Sequence, residues 1–407
     1  MKLPFESISR STSQTSQTLT ERANFPLQDC LHYRPAIQEA FAHVIQSGQT
    51  ILAAGVRGFE DGFAAWLGGG LTADHCIGVG NGTDALELAM HCAGIRSGDG
   101  VVVPSLTAYA TVAAILQVGG KPVFADVEAE RPVIAVEEVE RILEHQGHNE
   151  QRIKAVIAVH LYGEACDLRP LRDLCRRQGI ALIEDCAQAT GTLYEGTRVG
   201  TWGDYAAFSF YPTKNLAALG DGGMLVVGAE ASQEDLTTAR RLRFYGWDTS
   251  KQAVQFGVNS RLDEVQAWIL RAKLNDLDER VAARRHLALR YGEHLGLLDH
   301  AGTIGLPCNS HHWKHSYHLY VITVDPDLRD WIVRKGSDDG IPYGVHYPLA
   351  CHQHQYIRER HSGDQFHLPH TERLSARVLS LPMNPYLLDS DVELVSQHLQ
   401  TCLRGKI

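Results

Sequence analysis

The chain has 407 residues, 44% of them hydrophobic and 21% charged, which is typical of a folded protein large enough for two lobes. A formal net charge of −10 gives no general attraction to nucleic acid or to an anionic membrane surface. No apolar stretch is long enough to span a membrane and the first residues lack the apolar core of a signal peptide, so we expect a cytoplasmic protein. The nine cysteines have no repeated short spacing and are expected to be reduced packing residues.

A Ser/Thr/Gln-rich arm at residues 1–20 is predicted to be disordered, because it has too few apolar groups to fold alone. After it, short apolar runs alternate with helix-length segments. This alternation predicts an α/β fold with a mostly parallel sheet covered on both faces. The predicted strands are VVVP (101–104), KPVFADV (121–127), IKAVIAVHL (153–161), IALIED (180–185) and YAAFSF (205–210).

The pattern changes at Ser260. The stretch SRLDEVQAWILRAKLNDLDERV has apolar residues at helical spacing, which predicts one long helix capped by Ser260. A strand (YHLYVITV) and a final helix follow, and Ser390 and Glu393 have capping-box spacing at the start of that helix. We therefore predict a large domain over residues 21–275 and a smaller C-terminal α/β domain over residues 276–407.

The stretch GVGNGTDALELAMHCAG (78–94) places alternating glycines before a helical pattern. Thr83 or Asp84 can cap this helix, and the free N–H groups at its start would attract a phosphate. A tight turn without a ligand is the alternative. The spacing matches neither a dinucleotide fingerprint nor a P-loop.

Two further residues could meet a ligand. Asp185 ends an apolar strand, and ligands of open α/β sheets bind at the carboxyl ends of strands, although a helix cap is the alternative. Lys214 follows the strand YAAFSF and the turn at Pro212, among apolar and aromatic residues. Burial there would favour the neutral amine, which attacks carbonyls, whereas a solvated surface lysine is the alternative. A phosphate cup, a carboxylate and an amine are the groups that pyridoxal 5′-phosphate (PLP) requires.

From about residue 40 onward the sequence resembles the sugar aminotransferases of the DegT/DnrJ/EryC1/StrS family, which have the type I (aspartate aminotransferase-like) PLP fold. The resemblance rests on motifs that occur in the family's order. These are GNGTDALELA, VVVPSLTAYAT, GGKPVFADV, VIAVHLYG, IEDCAQATG, FSFYPTKN, GDGGMLV, GVNSRLDEVQAWILRAKL, VHYPLACHQHQY and LSLPMNP.

The resemblance implies that Lys214 binds PLP as a Schiff base and carries the proton during catalysis, and that Asp185 keeps the pyridine nitrogen protonated. It also implies that Asn259 reaches the phosphate of a neighbouring subunit, hence a homodimer with shared active sites. The implied cofactor-binding residues are Gly82, Thr83, Tyr109, Asp185, Gln188, Ser209, Lys214 and Asn259. Tyr211, His346 and Tyr347 are the implied substrate-binding residues.

One position departs from the family pattern. Ala108 stands where many relatives have an aromatic ring after the threonine, and Tyr109 follows it. We expect Tyr109 to stack on the cofactor ring, with ordinary core packing as the alternative.

The implied reaction has two halves: an amino acid, most often L-glutamate in this family, converts PLP to pyridoxamine 5′-phosphate, and the amine then passes to a ketone on a nucleotide-linked sugar. The form YPTKNLAALGDGG resembles the branch acting on C3 ketones, typically of dTDP-linked 3-keto-6-deoxyhexoses. The alternatives are a 4-keto-sugar or keto-cyclitol aminotransferase, or a non-catalytic PLP-binding regulatory protein. Lys214 argues against the related sugar dehydratases, which have histidine there.

The chain's 21 histidines raise the possibility of a metal site, since several cluster between residues 311 and 370. His352 and His354 are close in sequence, but no spacing or cysteine pairing supports a closed tetrahedral site. We expect no metal, with His346 near the substrate mouth and the other histidines in surface loops.

Overall fold

The computed structural model describes residues 17–145, 152–308, 310–360 and 366–404. Residues 1–16 of the predicted arm lie outside this part of the chain, and the arm's last two residues belong to α1 (Leu19–Ala23). Thr18 caps this helix, because its hydroxyl accepts from the Glu21 N–H while the Glu21 carboxylate accepts from the Thr18 N–H. Across the described ranges, no helix combines the length and apolar character that crossing a bilayer would need.

The other described α-helices are interspersed with the strands along the chain. They are α2 (Phe25–His32), α3 (Arg34–Ser47), α4 (Ala54–Leu67), α5 (Gly82–Cys92), α6 (Tyr109–Gln117), α7 (Val136–Glu144), α8 (Leu168–Gln178), α9 (Gln233–Leu242), α10 (Glu264–Leu274), α11 (Leu277–His300), α12 (Pro326–Asp338), α13 (Gln355–Arg360), α14 (Pro369–Arg377) and α15 (Asp389–Arg404).

The described strands form three sheets. The strands are β1 (Cys76–Val79), β2 (Gly100–Pro104), β3 (Lys121–Ala125), β4 (Ile153–Val159), β5 (Ala181–Asp185), β6 (Leu193–Tyr194), β7 (Thr197–Arg198), β8 (Tyr205–Ser209), β9 (Gly223–Val227), β10 (Trp313–Lys314), β11 (Tyr320–Thr323) and β12 (Val378–Leu381). The seven-stranded central sheet has the order β1-β9-β8-β5-β4-β2-β3, with β10-β6-β7 and β11-β12 as smaller sheets. The central sheet is parallel from β8 to β3, and only β9 runs antiparallel to its neighbours.

The predicted apolar runs form β2, β3, β4, β5 and β8, which confirms the mostly parallel α/β sheet. Successive side chains of a strand point to opposite faces, and both faces of this sheet carry a hydrophobic core. Along β4, for example, Val156 packs in one core and Ile157 in the other. Continuous burial explains why the strands read as unbroken apolar runs.

A third core, built on β11, β12, α11, α12 and α15, forms a smaller C-terminal lobe. Helix α11 crosses between the lobes, because Leu277 and Val281 pack under the central sheet while Tyr291 and Leu295 pack in the small lobe. The domain boundary at residues 275 and 276 therefore stays a prediction.

The single helix predicted from Ser260 is wrong, because the chain forms α10 and α11 with a break at Asn275 and Asp276. Apolar spacing continues through the break, so periodicity alone does not reveal it. Ser260 caps neither helix. Its hydroxyl instead donates to Asp84 Oδ2 at 2.5 Å, in the glycine-rich region.

The predicted cap of the last helix is also wrong. Helix α15 begins at Asp389, so Ser390 lies inside its first turn. The carboxylate that accepts a backbone N–H here belongs to Asp391, which binds Leu388 N at 2.8 Å. Aspartate and serine are both common at helix starts, and the sequence does not decide which of them accepts the backbone N–H that caps the helix.

A buried charge cluster joins α2 to α10 and α11. The Asp29 carboxylate accepts from the Lys273 ammonium, from the Arg280 guanidinium at 2.5 Å and from the Tyr386 hydroxyl at 2.9 Å. Lys273 also donates to the Ala217 carbonyl at 2.6 Å. The cluster thus fixes the N-terminal helices against the loop that follows β8.

Replacing Asp29 with asparagine is expected to lower the free energy of unfolding by about 3 kcal/mol, because two buried cations would lose their common anion. Urea unfolding followed by circular dichroism measures this change. Asp61→Asn, at an exposed position, is the matched control and should change stability by less than about 0.5 kcal/mol. Equal stability of Asp29→Asn and wild type would refute a stabilising role for the cluster.

Candidate active site

Strands β5 and β8 bring the two central candidates to one edge of the sheet. They are parallel neighbours, with Asp185 opposite Ala207, so their carboxyl ends lie side by side. Asp185 is the last residue of β5, and Lys214 lies in the turn after β8, where its N–H donates to Tyr211 O at 2.8 Å. The two candidates that the sequence singled out therefore lie at the same edge of the sheet, where ligands of open α/β sheets bind.

A cavity of about 480 Å³ opens at this edge. Of the residues predicted for the site, seven line it: Gly82, Thr83, Asp185, Gln188, Ser209, Tyr211 and Lys214. Tyr109, Asn259, His346 and Tyr347 are not among its lining residues.

Lys214 is the only lysine among the described residues that line the cavity. Burial lowers the pKa of its amine to about 8, against the opposing effect of the Asp185 carboxylate. The amine is therefore partly neutral near physiological pH, which is the form that attacks a carbonyl. This agrees with the reactive amine that the apolar flanks of Lys214 predicted.

Asp185 is held in place by groups on two elements. Its Oδ2 accepts from Thr111 Oγ1 at 2.8 Å, and its Oδ1 accepts from the Ala187 N–H at 3.0 Å. The Thr111 hydroxyl oxygen in turn lies 3.1 Å from the hydroxyl oxygen of Thr107, four residues earlier in the chain. The carboxylate is thus buried and oriented, with its charge facing the cavity that Lys214 shares.

The glycine-rich loop and the start of α5 form a cup on one side of the cavity. Asn81, and not Thr83 or Asp84, is the N-cap, since its side chain accepts from Asp84 N at 2.8 Å. The N–H groups of Gly82 and Thr83, in the first turn, have no partner within the helix and remain available to an anion. A Cβ on Gly82 would lie 2.7 Å from the Ser209 Cβ, so only glycine permits this approach of the loop to β8.

Gln188 connects the cavity to Tyr162 and Tyr347. Its Oε1 accepts from Tyr162 N at 2.8 Å, and its Nε2 donates to the Tyr347 hydroxyl at 3.1 Å. The Tyr162 hydroxyl donates to the His346 carbonyl, and burial together with the nearby Lys214 charge lowers the pKa of the His346 ring. His346 and Tyr347 thus lie just behind the cavity wall.

The Tyr109 ring does not line the cavity. Ala108 lines the cavity, whereas the Tyr109 ring lies 4.9 Å from the His354 ring, outside the set of lining residues. The backbone turns into α6 at this point, which directs successive side chains to different sides. A stacking role for Tyr109 stays a prediction.

The expectation that the remaining histidines lie in surface loops is wrong for three of them: His315, His318 and His352 are buried. Another buried histidine belongs to a group whose ligand atoms lie within 4.8 Å of one another, His160, Glu184 and Cys186. Both ring nitrogens of His160 have hydrogen-bond partners within the protein. Nε2 binds Glu184 at 3.0 Å, and Nδ1 accepts the Cys166 N–H.

The Glu184 carboxylate also accepts the N–H groups of Gly200, Trp202 and Gly203 at 2.7 to 2.8 Å. Glu184 therefore fixes the loop before β8 and, with it, the strand that leads to Lys214. Alternation along β5 points Glu184 to the face opposite Asp185.

Sequence reasoning missed Thr111, Asp84 and Asp221 as cavity residues. Thr111 had a signal, since it follows Thr107 by one helical turn in the motif SLTAYAT. The sequence indicates only a helix cap at Asp84. Asp221, within GDGG, had no signal beyond its glycine neighbours.

The sheet, the second lobe and this cavity define an α/β protein of the type I, aspartate aminotransferase-like class. The model of the DegT/DnrJ/EryC1/StrS aminotransferase family matches residues 32–400, and the chain belongs to this family.

Similar proteins cover nearly the whole chain. The chain is 41% identical over 357 residues to the dTDP-3-amino-3,4,6-trideoxy-alpha-D-glucose transaminase of Micromonospora megalomicea subsp. nigra, covering 87% of this chain and 91% of that protein. It is 36% identical over 392 residues to the UDP-N-acetyl-3-dehydro-alpha-D-glucosamine 3-aminotransferase of Acidithiobacillus ferrooxidans, covering 95% and 100%. The crystal structure of DesV from S. venezuelae with a ketimine intermediate superposes with a TM-score of 0.84 at 34% identity, covering 93% and 97%.

Proposed function

We propose that this chain is a PLP-dependent aminotransferase. It moves the amino group of an amino acid, for which we propose L-glutamate, to the C3 ketone of a nucleotide-linked deoxysugar. The observation that carries the proposal is the meeting of the Lys214 amine, the Asp185 carboxylate and the anion cup in one cavity. These groups match the aldehyde, the ring nitrogen and the phosphate of PLP. The close approach of Gly82 to Ser209, which only glycine permits, brings the Gly82 N–H and the Ser209 hydroxyl together where a phosphate could bind both.

Each group has a defined task. When bound, PLP supplies a ring that withdraws electrons from the carbon bearing the amine. Asp185, fixed by Thr111, keeps a proton on the ring nitrogen through its negative charge. Gly82, Thr83 and Ser209 bind the phosphate. The Lys214 amine would hold the aldehyde carbon and, once released, would carry the proton from the amino-acid α-carbon to the cofactor carbon that had been the aldehyde.

The C3 position rests on the sequence around Lys214 and on the relatives. Both curated relatives are named for an amino group at C3, one on a dTDP-sugar and the other on a UDP-sugar. We propose dTDP, as the motif YPTKN suggested. Tyr211, which is 51% exposed at the cavity mouth, would contact the sugar, with His346 and Tyr347 behind it.

A cytoplasmic homodimer with shared active sites completes the proposal. Asn259 is exposed and does not line the cavity of its own chain, which supports a role at the phosphate of another subunit. The preceding segment exposes apolar side chains: Tyr245 by 38%, Val254 by 52% and Phe256 by 61%. Exposed apolar residues on one segment are typical of a surface that a second copy covers.

Product analysis by mass spectrometry tests the substrate. The protein, PLP and L-glutamate are incubated separately with a dTDP-3-keto-6-deoxysugar, its UDP counterpart, a dTDP-4-keto-6-deoxysugar and a keto-cyclitol. The proposal predicts the fastest amination for the dTDP-linked C3 ketone. Faster amination of the 4-keto-sugar or the cyclitol would overturn the C3 assignment, and amination of none would favour a regulatory protein.

The pH dependence of cofactor capture follows from Lys214. The rate at which apoprotein attaches PLP to Lys214 should rise about tenfold per pH unit at low pH and level off above pH 8, because only the neutral amine attacks. Stopped-flow absorbance across a pH series measures it. A rate still rising well above that midpoint would indicate a lysine with its ordinary pKa.

A further inference from the structure

Ser260 joins the phosphate cup to the segment that carries Asn259. Its side chain is only 2% exposed, and its hydroxyl accepts from the Gly80 N–H at 2.9 Å while donating to Asp84 Oδ2 at 2.5 Å. One hydroxyl therefore binds both the glycine-rich loop and the first turn of α5. A charge-assisted bond of this length is among the stronger hydrogen bonds of a protein.

The partners of Ser260 belong to the cup itself. Asp84 lines the cavity, and its N–H donates to the Asn81 cap at 2.8 Å. A Cβ on Gly80 would lie 3.3 Å from the Ser260 hydroxyl and 3.2 Å from the Asp84 carboxylate, so the loop is packed closely against this pair. A displacement of Ser260 would thus be transmitted to Gly82 and Thr83, the residues available to the phosphate.

The backbone of Ser260 is tied to the same loop from the other side. Its N–H donates to the Arg243 carbonyl at 3.0 Å, and the Arg243 guanidinium donates to the Gly78 carbonyl at 2.9 Å and to Glu60 at 2.6 Å. Asn259, next to Ser260 in the chain, forms an antiparallel β-bridge with Phe244, which follows Arg243. The backbone that carries its exposed side chain is therefore held by bonds to the loop that forms the cup of its own chain.

We propose that Ser260 is a positioning residue that couples the phosphate cup of its own subunit to Asn259, so that PLP binding at one site of the dimer favours binding at the other. This inference rests on the proposed dimer and on the role of Asn259 in the partner's site. Because the Ser260 hydroxyl is bonded to the cup and its backbone adjoins Asn259, a phosphate that shifts one cup would shift the Asn259 of the same chain and so lower the cost of binding at the partner's site. Coupling of this kind is a free energy shared between two sites.

The test is a PLP titration of the full-length apoprotein without substrate, followed by the visible band of lysine-bound cofactor and by equilibrium dialysis. Wild type should bind with a Hill coefficient above 1. Ser260→Ala should bind about tenfold more weakly and without cooperativity, because Gly80 N–H and Asp84 lose their common partner. Ser260→Thr, which keeps the hydroxyl, should restore both. Ser396→Ala, at a buried serine of the small lobe, is the control and should behave as wild type.

Several outcomes would overturn the proposal. They are non-cooperative binding by dimeric wild type, wild-type binding by Ser260→Ala, and weaker binding by Ser260→Ala with its cooperativity intact. If Ser260→Ala does not fold, Asp84→Asn decides, since it weakens the same bond and should show the same loss. Sedimentation is measured first: a monomer would refute the proposed dimer and the coupling together, whereas a wrong sugar assignment leaves the titration unaffected.

Discussion

Lys214→Ala is expected to lower the rate of amine transfer by a factor of about 10³ or more, because the variant loses both the group that holds the cofactor and the base that moves the proton. Among the described residues that line the cavity, no other lysine can replace it. The visible band of lysine-bound PLP should be absent. The amine transfer rate and the absorbance spectrum measure the two effects separately.

The fold should survive this change, because the Lys214 side chain faces the cavity and contributes little to the core. Lys121→Ala, at an exposed lysine that begins β3, is the matched control and should retain wild-type activity and spectrum. Substantial amine transfer by Lys214→Ala would contradict the role assigned to this lysine. A variant that lacks activity and also unfolds would have to be compared at lower temperature before the rates are interpreted.

Asp185→Asn is expected to lower kcat by about 10² to 10³-fold while PLP still attaches to Lys214. Asparagine has nearly the same shape: its oxygen can still accept from Ala187 N, and its NH2 group can donate to the Thr111 hydroxyl, but it lacks the charge that keeps the ring nitrogen protonated. The expected result is therefore a loss of turnover without a comparable loss of cofactor. Steady-state kinetics and PLP titration provide the two measurements.

The same variant has a second signature. The Asp185 carboxylate raises the pKa of Lys214 against the effect of burial. Removing that negative charge should shift the midpoint of PLP capture below pH 8, because the ammonium form loses its stabilising neighbour. A midpoint that stays fixed or moves upward would show that the two groups do not interact as described.

The sequence predicted the elements whose signal is local. Apolar runs identified β2 to β5 and β8, because both faces of these strands are buried. The rule that ligands meet the carboxyl ends of parallel strands then placed Asp185 at the site, and the apolar flanks of Lys214 indicated a perturbed amine. The family resemblance implied which residues bind the phosphate, and that assignment stays a prediction.

Features that depend on contacts distant in sequence were missed. Ser260 was interpreted as a helix cap because serine before an apolar pattern usually is one, whereas its partners Gly80 and Asp84 lie about 180 residues earlier. The break between α10 and α11 left no mark in the apolar spacing. The position of β9 between β1 and β8 and its antiparallel direction could not be predicted, because an apolar run indicates burial and not strand order or direction.

We propose that this chain accepts an amino group on PLP held by Lys214. The most direct measurement is the visible absorbance spectrum of the PLP-loaded protein before and after L-glutamate, and again after added 2-oxoglutarate. We predict that L-glutamate bleaches the band and that 2-oxoglutarate restores it. A band that no amino donor changes would contradict the claim and would indicate a PLP-binding protein of the same fold without transferase activity.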